Sequence, residues 1–320
     1  MTAPFVSVKT ITYNHEKFIA QCIEGILMQK TNFSFEYIIG EDCSTDNTMK
    51  IVQEYARQYP NIIKVITSEK NVGAMENDSR SDKSCLGKYV AFCEGDDFWT
   101  DPYKLQKQID ILEANPEIGM VHTSFSYLNG NKQIKDIWKH KHIPKGNVLD
   151  QLISGNHIAT ATVCMRNEYL QQIDIADKIK KYDWKMGDYP LWIEVAAIAQ
   201  IAYIPQDTMT YREHADSLTH SLDWIGNYHF FESRYQIKRF YIEKYKRDHL
   251  NHLIDKMYHR ELLKYAIFLK DEDMRKSCYK YFVNQGVGRE VPYYLFSKFS
   301  LLDSLFEFIY TLKKRYQTLH

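Results

Sequence analysis

Two adjacent carboxylates follow a short apolar segment of this chain. Residues 89–92, Tyr-Val-Ala-Phe, have the composition of a buried strand, and Asp96 and Asp97 follow in the segment Cys-Glu-Gly-Asp-Asp-Phe-Trp of residues 93–99. Ligands bind at the carboxyl ends of strands in open α/β sheets, and neighbouring carboxylates repel each other unless a cation lies beside them. Mg²⁺ or Mn²⁺ prefers one or two carboxylates together with phosphate oxygens. The segment therefore predicts a metal–diphosphate site. The alternative is a surface turn, for which Gly-Asp-Asp is also suited.

Other polar residues come just after predicted strands. Thr12 and Tyr13 follow residues 5–11, Asp42 follows residues 36–40, and Asn71 follows residues 62–67. A tyrosine at a strand end can stack on a flat base, and a carboxylate there can accept hydrogen bonds from a base or ribose. Ordinary packing of the tyrosine and capping of the next helix by the carboxylate are the structural alternatives.

Strands and helices must alternate to bring these residues to one edge. Apolar residues at helical spacing predict helices over residues 16–28, 71–85, 104–114 and 188–199, and another that begins after Asp46 and ends at Pro60. Further strands are predicted over residues 89–93, 120–125, 161–166, 201–204 and 209–212. The polar residues 127–158 predict an insertion or a flexible loop. The alternation predicts a mostly parallel sheet with helices on both faces and right-handed crossovers.

The order of these motifs resembles the inverting family 2 glycosyltransferases of the GT-A fold, of the bacterial polysaccharide-biosynthesis type. The matching motifs are Thr-Tyr-Asn at 12–14, Glu-Asp-Cys-Ser-Thr-Asp at 41–46, Asn-Val-Gly at 71–73, Glu-Gly-Asp-Asp at 94–97, Gly-Asp-Tyr-Pro-Leu-Trp at 187–192 and Tyr-Arg-Glu-His at 211–214. The resemblance implies an α/β, Rossmann-like domain whose mostly parallel sheet is flanked by helices. Residues 225–320 have no counterpart in it, and they predict a C-terminal helical extension.

The resemblance implies roles for individual residues at the donor site. Thr12 and Tyr13 would line the nucleoside pocket, and Asp42 would bind the uracil or another base. Asn71 would belong to the same donor-binding set. Asp96 would contact the ribose or share the metal, and Asp97 would ligate the metal. The family often has Asp-Asp where this chain has Glu41 and Asp42. The position that contacts the base is the retained Asp42.

By the same resemblance, Asp188 is the catalytic base, while His214 is a candidate metal ligand. In an inverting transfer an acceptor hydroxyl attacks the anomeric carbon, and a carboxylate within hydrogen-bond reach must take its proton. A metal ion stabilises the charge that develops on the leaving diphosphate. The structural alternatives are a carboxylate that favours the helix dipole at Asp188 and an ordinary structural histidine at His214.

The charge distribution divides the chain. The 320 residues have a net charge of zero, which argues against binding nucleic acid through bulk electrostatics. Residues 221–320 carry 18 Lys and Arg against 12 Asp and Glu, whereas residues 1–220 carry 23 against 29. We predict a nucleotide-sugar-binding and catalytic domain over residues 1–222 and a helical accessory region over residues 223–320.

The cysteines and the apolar segments predict the compartment. The six cysteines are scattered without a Cys-x-x-Cys pair, which is typical of a reducing compartment. Neither a signal-peptide pattern nor an apolar run of membrane-spanning length is present, so the expected location is cytoplasmic. The amphipathic stretch 301–312, followed by Lys313, Lys314 and Arg315, predicts a core or partner helix, or peripheral attachment at the inner face of an anionic membrane.

The expected function is metal-dependent, inverting hexosyl or N-acetylhexosaminyl transfer. The expected cofactor is Mn²⁺ or Mg²⁺, the expected donor is a nucleotide-sugar of the UDP type, and the acceptor is a glycan or lipid-linked glycan in cell-surface polysaccharide assembly. The C-terminal helices would contact the membrane or a second subunit. One alternative is a sugar-nucleotide nucleotidyltransferase, which the absence of glycine from residues 12–16 disfavours. Another is an inactive scaffold in a glycan-assembly complex. The chain is too short for an RNA polymerase, in which Gly-Asp-Asp also occurs.

Overall fold

The computed structural model describes residues 3–130, 132–134, 143–214, 223–285 and 291–319, without the side chains of 291, 301 and 312–319. The chain divides into two compact units, Met1–His220 and Ser221–His320. The boundary predicted after residue 222 adjoins residues 215–222, which lie outside the described part of the chain. The first unit is built on one sheet, and the second is helical.

The sheet of the first unit contains nine strands in the described residues. In chain order they are β1 (Val6–Thr12), β2 (Phe35–Glu41), β3 (Ile63–Ile66), β4 (Tyr89–Phe92), β5 (Phe98–Trp99), β6 (Ile118–Asn129), β7 (Lys132–Ile134), β8 (Cys164–Arg166) and β9 (Gln200–Glu213). The helices between them are α1 (Ile19–Leu27), α2 (Thr48–Gln58), α3 (Ala74–Asp82), α4 (Lys104–Ala114), α5 (Leu149–Ser154), α6 (Asn167–Gln172), α7 (Ile175–Tyr182) and α8 (Asp188–Ile198). A short 3₁₀ turn covers Thr160–Thr162.

The sheet has a parallel half and a mainly antiparallel half. Strands β3, β2, β1 and β4 are neighbours in that order. They run parallel, and the sequence predicts this direction. The order continues β8, β6, β9 and β5, with β7 beside β6. In that half only β6 and β9 pair in parallel, while β8, β5 and β7 run antiparallel to their neighbours. The parallel half therefore brings the ends of β1, β2 and β4 to one edge.

Strand β1 is buried because its alternate side chains pack on opposite faces of the sheet. Val6 and Val8 belong to the core that also contains Ile19, Ile23 and Ile26 of α1. On the other face, Nζ of Lys9 lies 2.6 Å from Asp78 of α3 and also contacts Asp82. This buried ion pair fixes α3 against the sheet.

Trp99 anchors the segment that follows the two carboxylates. It is almost completely buried, and its Nε1 donates a 3.0 Å hydrogen bond to the carbonyl oxygen of Ala161. Gly25 of α1 packs against its backbone, where an added Cβ would lie 2.7 Å from the Trp99 carbonyl oxygen. Only glycine allows this close approach, so α1, β5 and the 3₁₀ turn are held together.

Two predicted features of the antiparallel half differ from the structure. The strands predicted over 201–204 and 209–212 are one continuous strand, β9, because β-bulges take up the irregular register against β6. The segment 127–158 is not a simple loop, since β6 continues to Asn129 and α5 occupies Leu149–Ser154. Residues 131 and 135–142 of that segment lie outside the described residues.

The second unit contains five α-helices in its described part, in agreement with the helical extension that the sequence predicts. They are α9 (Trp224–Tyr245), α10 (Asn251–Phe268), α11 (Glu272–Asn284), α12 (Val291–Lys298) and α13 (Asp303–Leu319). Their core contains Phe231, Leu262, Leu263, Cys278 and Phe282. Leu253 and Met257 of α10 lie outside this core, with exposed fractions of 44% and 43%. None of the helices described in either unit is both long and apolar enough to cross a bilayer.

Candidate functional site

The ends of β1 and β2 place the first predicted site residues side by side. Thr12 pairs with Glu41, the last residue of β2, and the next backbone N–H, that of Asp42, donates a 3.1 Å hydrogen bond to the Thr12 carbonyl oxygen. Thr12 and Asp42 are buried, whereas the Tyr13 side chain is 41% exposed. The exposed ring of Tyr13 is thus available to stack on a planar group.

Asp42 is held by the loop that precedes α3. Its Oδ1 accepts a 2.9 Å hydrogen bond from the backbone N–H of Val72, and its Oδ2 accepts one of 2.9 Å from that of Gly73. Oδ1 of Asn71 also accepts from the Gly73 N–H at 3.1 Å, which closes a tight turn. Oδ2 can accept a further hydrogen bond, because a carboxylate oxygen has two lone pairs. Asp42 and Asn71 therefore form one ordered wall of the site.

Arg80 of α3 completes this wall. Its Nη2 donates hydrogen bonds of 2.8 Å to the Glu41 carbonyl oxygen and to Oδ1 of Asn77, and it lies 3.4 Å from Oδ1 of Asp42. Asn77 in turn donates to the Gly40 carbonyl oxygen at 2.8 Å. The guanidinium group is thus fixed beside the carboxylate that the resemblance assigns to the base.

Glu41, which differs from the family pattern, stabilises a turn. Its carboxylate accepts hydrogen bonds from the backbone N–H groups of Cys43 at 3.0 Å and Ser44 at 2.8 Å. Cys43 has a φ of 57°, a left-handed conformation that these two contacts hold in place. Glu41 is fully buried, so it shapes the loop after β2 and presents no free carboxylate.

Asp96 and His214 meet near the end of the acidic segment, the name used here for residues 94–97. Nε2 of His214 lies 3.1 Å from Oδ2 of Asp96, and both side chains are only partly exposed. The ring of His15 stands perpendicular to that of His214, with centroids 6.3 Å apart, and its Nδ1 lies 3.2 Å from Oγ1 of Thr12. Burial lowers the pKa of His15, although Asp96 partly opposes this shift. The structure therefore joins the ends of β1, β4 and β9 at one place.

Gly95 makes this meeting possible. A Cβ added there would lie 2.7 Å from Oγ1 of Thr12 and 2.8 Å from Nδ1 of His15. Since real Cβ atoms do not approach polar atoms so closely, any larger residue would displace the acidic segment.

The neighbouring carboxylate, Asp97, lies in a different environment. It is buried, and its Oδ1 accepts a 2.8 Å hydrogen bond from the backbone N–H of Arg212. Burial raises the pKa of Asp97 well above its ordinary value, and the nearby Asp96 and Glu94 raise it further. The hydrogen bond from Arg212 ties the acidic segment to β9.

Arg212 reinforces the same connection. Its side chain donates to the Asp96 carbonyl oxygen and to Oε1 of Gln21, the latter at 2.5 Å. The guanidinium carbon lies 4.6 Å from the centroid of the Phe18 ring and 4.9 Å from that of Phe98. Stacking between two rings leaves a guanidinium little freedom, so the backbone around Asp96 is fixed.

Asp188 is the first residue of α8. Its Oδ1 accepts a 2.7 Å hydrogen bond from the backbone N–H of Tyr189, and its Oδ2 accepts one of 3.1 Å from the hydroxyl of Thr160. Burial raises the pKa of Asp188, while these two hydrogen bonds counteract the shift. A carboxylate with a raised pKa is a better proton acceptor, so Asp188 suits general base chemistry.

Glu94 links Asp188 to the acidic segment. Burial raises the pKa of Glu94 to about 8, with further contributions from Asp96 and then Asp188. The Thr160 hydroxyl interacts with the Glu94 carboxyl as well as with Asp188. The Glu94 carboxyl is therefore close to both Asp96 and Asp188.

The structure brings together most of the residues that the sequence singled out. Thr12, Asp96 and His214 meet through His15, and Asp42 and Asn71 form the adjoining wall. Asp97 is adjacent to Asp96 and is buried. The sequence reasoning assigned no role to His15 or Thr160, and no local pattern marks either of them.

A divalent metal would have few ligands from the protein. Among the residues that the structure describes, no group of three or more His, Cys, Asp or Glu side chains is arranged to hold a metal ion. Asp96 and His214 supply one oxygen and one nitrogen within 3.1 Å of each other. This donor set fits an ion such as Mn²⁺ or Mg²⁺ that takes its other ligands from phosphates and water.

Curated relatives share long segments of this chain. It is 32% identical over 234 residues to the uncharacterized protein Rv1520 of Mycobacterium tuberculosis, a match that covers 72% of this chain and 64% of that protein. It is 31% identical over 173 residues to the putative teichuronic acid biosynthesis glycosyltransferase TuaG of Bacillus subtilis, covering 54% of this chain and 66% of that protein. The chain thus spans about two thirds of the length of these relatives.

Solved structures share the fold. The structure of S. aureus TarS 1-349 in complex with UDP-GlcNAc matches 72% of this chain and 65% of that chain, with a TM-score of 0.54 at 20% identity. The mannosyltransferase PcManGT from Pyrobaculum calidifontis, in complex with GDP-Man and Mn²⁺, matches 95% of this chain and 87% of that chain, with a TM-score of 0.57 at 14% identity. The likeness confirms the predicted GT-A fold.

A family model agrees with the resemblance seen in the motifs. Residues 7–173, which begin within β1 and include β2 to β8 and the acidic segment, match the model described as Glycosyl transferase family 2. The match covers more than half of the chain, and the chain therefore belongs to glycosyl transferase family 2.

Proposed function

We propose that this protein is an inverting glycosyltransferase that moves a sugar from a nucleoside diphosphate donor to a hydroxyl acceptor. The observation that carries the proposal is the position of the acidic segment between two functional groups. Asp96 contacts His214 on one side, and Glu94 lies close to Asp188 on the other. A leaving diphosphate and an attacking hydroxyl need such a pair of sites on either side of one carbon.

The nucleoside would bind at the wall formed by α3 and the end of β2. Asp42 would accept a hydrogen bond from a base N–H, and the fixed guanidinium of Arg80 would donate to a base carbonyl. Thr12 and Tyr13 would contact the ring and the ribose, and Asn71 would shape the adjoining turn. The UDP-GlcNAc complex of TarS supports a UDP-sugar as the donor, and the GDP-Man complex of PcManGT makes GDP the natural comparison.

Asp96 and His214 would hold Mn²⁺ or Mg²⁺ together with the diphosphate of the donor. When bound, the ion would supply positive charge to the diphosphate as it departs. Asp97 would keep Asp96 in place through its hydrogen bond to the Arg212 backbone.

Asp188 would act as the general base. As the acceptor oxygen bonds to the anomeric carbon, the bond from that carbon to the diphosphate oxygen breaks, and its electron pair leaves with the diphosphate. The proton of the acceptor hydroxyl passes to Asp188. Attack from the face opposite the leaving group inverts the anomeric centre, so no covalent sugar–enzyme intermediate is needed.

The acceptor is proposed to be a glycan or a lipid-linked glycan of the cell surface. TuaG of Bacillus subtilis, named as a putative teichuronic acid biosynthesis glycosyltransferase, supports this class of substrate. The unit Ser221–His320 would be the accessory region, acting at the cytoplasmic face of a membrane.

A surface of α12, α13 and the residues between them supports membrane attachment. Leu295, Phe299, Leu305, Phe308 and Ile309 have exposed fractions between 37% and 60%. On α13, Phe306 packs against the helical core, and the Tyr310 ring lies 5.3 Å from that of Phe268. Leu305, Phe308 and Ile309 are therefore not needed to hold α13. Lys298 and the sequence Lys-Lys-Arg at 313–315 add positive charge, which favours an anionic lipid surface.

Calorimetry would test the donor and the metal together. We expect the wild type to bind UDP more tightly than GDP, and more tightly with Mn²⁺ than without it. Asp96→Asn should lose the metal dependence, whereas Asp188→Asn should bind UDP normally and release no UDP from a UDP-sugar. Asp97→Asn should retain metal-dependent binding, because its amide oxygen still accepts from the Arg212 N–H.

Other outcomes would identify other functions. Loss of metal-dependent binding in Asp97→Asn but not in Asp96→Asn would make Asp97 the metal ligand. The failure of any nucleotide to bind would favour a scaffold in a glycan-assembly complex. Release of pyrophosphate from UTP and a sugar 1-phosphate would identify a nucleotidyltransferase.

A further inference from the structure

The Asp188 carboxylate is oriented by two different hydrogen bonds. The backbone N–H of Tyr189 binds Oδ1 at 2.7 Å, as expected of a carboxylate in the first turn of a helix. The hydroxyl of Thr160 binds Oδ2 at 3.1 Å and comes from a separate segment of the chain. The first contact is local to α8, so only the second controls the orientation of Asp188 from across the site.

The turn that carries Thr160 is itself rigid. The Ala161 carbonyl oxygen accepts a 3.0 Å hydrogen bond from Nε1 of Trp99, and the Thr162 carbonyl oxygen accepts one of 2.9 Å from Gln108. Trp99 and Gln108 are buried side chains that follow the acidic segment. The Thr160 hydroxyl is therefore held in a fixed position relative to Asp96.

The charged groups around Asp188 disfavour its ionised form. Asp78 approaches from α3 and Glu94 from the segment after β4, and both are carboxyl groups. Burial acts in the same direction, while the hydrogen bonds from Thr160 and the Tyr189 N–H favour the carboxylate. Loss of the hydroxyl would leave the backbone N–H groups of Tyr189 and Asp188 to oppose these effects.

We propose that Thr160 is a positioning residue for proton transfer to Asp188. Its hydroxyl occupies one lone pair of Oδ2 and so decides which lone pairs remain for the proton of the acceptor hydroxyl. The Thr160 proton stays on its own oxygen throughout, and the acceptor proton ends on Asp188. This inference rests on the proposed function, in which Asp188 is the general base.

A carboxyl titration tests the contact without any substrate. In protein labelled with ¹³C at the aspartate carboxyl carbons, the Asp188 signal is identified by its loss in Asp188→Asn. We expect its titration midpoint to rise by roughly half to one pH unit in Thr160→Val and in Thr160→Ala. Thr160→Ser, which keeps the hydroxyl, should titrate like the wild type. Unchanged midpoints in both Thr160→Val and Thr160→Ala would overturn the proposal.

Thr162→Val is the matched control. It removes the neighbouring hydroxyl of the same turn, which donates to the Ala159 carbonyl oxygen and not to a carboxylate. A shift of the Asp188 midpoint in this variant equal to that in Thr160→Val would mean that general loosening of the turn is the cause, and this would also overturn the proposal.

Turnover provides the second test. UDP release from the donor should fall by about 10- to 100-fold in Thr160→Val, with unchanged affinity for UDP and recovery in Thr160→Ser. Equal turnover in Thr160→Val and wild type would contradict the positioning role. If the titration shifts as expected but the wild type neither binds nor cleaves nucleotide-sugars, the proposed function fails while the contact between Thr160 and Asp188 stands.

Discussion

Nε2 of His214 lies 3.1 Å from Oδ2 of Asp96, although the two residues are far apart in the sequence. His214 follows directly after β9, and Asp96 follows β4. The end of the long strand β9 therefore completes a site that the parallel half of the sheet begins. The same strand contributes the Arg212 backbone N–H that binds Asp97, so one strand end controls both carboxylates.

Substitution of His214 should weaken metal-dependent donor binding. His214→Gln removes the imidazole nitrogen beside Asp96 and keeps a polar side chain of similar length. We expect UDP affinity in Mn²⁺ to fall about tenfold or more, which corresponds to about 1.4 kcal/mol or more, with little change in its absence. Calorimetry measures both conditions. His252→Gln, at an exposed position of α10, serves as the control, and equal affinities for wild type and His214→Gln would exclude His214 as a ligand.

Arg80 should be required for the base and not for the metal. Arg80→Lys keeps the charge but loses the planar set of N–H groups that reaches Glu41, Asn77 and Asp42 together. We therefore expect both Arg80→Lys and Arg80→Ala to bind UDP about tenfold more weakly, with the Mn²⁺ dependence retained. Arg57→Ala, at an exposed position of α2, is the matched control. Full affinity in Arg80→Lys would show that charge alone is sufficient.

The strand ends of the parallel half were predictable because their signals are local. Thr12 and Asp42 lie at or just after β1 and β2, and Asp96 follows β4 after three residues, so short apolar segments were enough to place them. The alternation of elements also correctly predicted that β1 to β4 run parallel. These are contacts between neighbouring units of strand and helix, which sequence periodicity describes well.

The remainder depends on contacts between distant segments. Nothing in the residues around Thr160 indicates a hydrogen bond to Asp188, and the close approach of His15 depends on Gly95. The sequence also did not reveal the different environments of Asp96 and Asp97, because these environments depend on how the end of β9 packs against the acidic segment. Bulges in β9 made one strand look like two for the same reason.

The exposed side of α13 should bind an anionic membrane. Leu305, Phe308 and Ile309 have exposed fractions of 49%, 60% and 39%. We expect the full chain to float with vesicles that contain phosphatidylglycerol and not with pure phosphatidylcholine vesicles. Phe308→Asp should lower the floating fraction several-fold because it places a carboxylate in the apolar surface.

Leu253→Asp, at an exposed position of α10, is the control for this experiment. It should float like the wild type, since it lies outside the surface formed by α12 and α13. Equal flotation of wild type and Phe308→Asp would contradict membrane docking. A wild-type dimer that Phe308→Asp dissociates in sedimentation experiments would show instead that a second copy of the chain covers this surface.

A buried lysine should make stability depend on pH in an unusual direction. Lys104 of α4 is fully buried, and its Nζ donates to Oε1 of Gln108 at 2.8 Å and lies 4.1 Å from the centroid of the Trp99 ring. Burial lowers the pKa of Lys104 to about 8, from an ordinary value of 10.5. Between these values the unfolded chain binds more protons than the folded protein, so the free energy of unfolding rises with pH.

Urea unfolding at pH 7 and pH 9 measures this effect. We expect the free energy of unfolding of the wild type to increase by about 1 kcal/mol between these pH values, relative to Lys104→Met. Comparison of the two proteins cancels the opposite contribution of buried thiols that do not interact with Lys104, such as Cys85, whose pKa burial raises to about 12. An identical pH dependence in both proteins would show that Lys104 does not titrate in this range. A smaller increase in the wild type than in Lys104→Met would reverse the sign of the prediction.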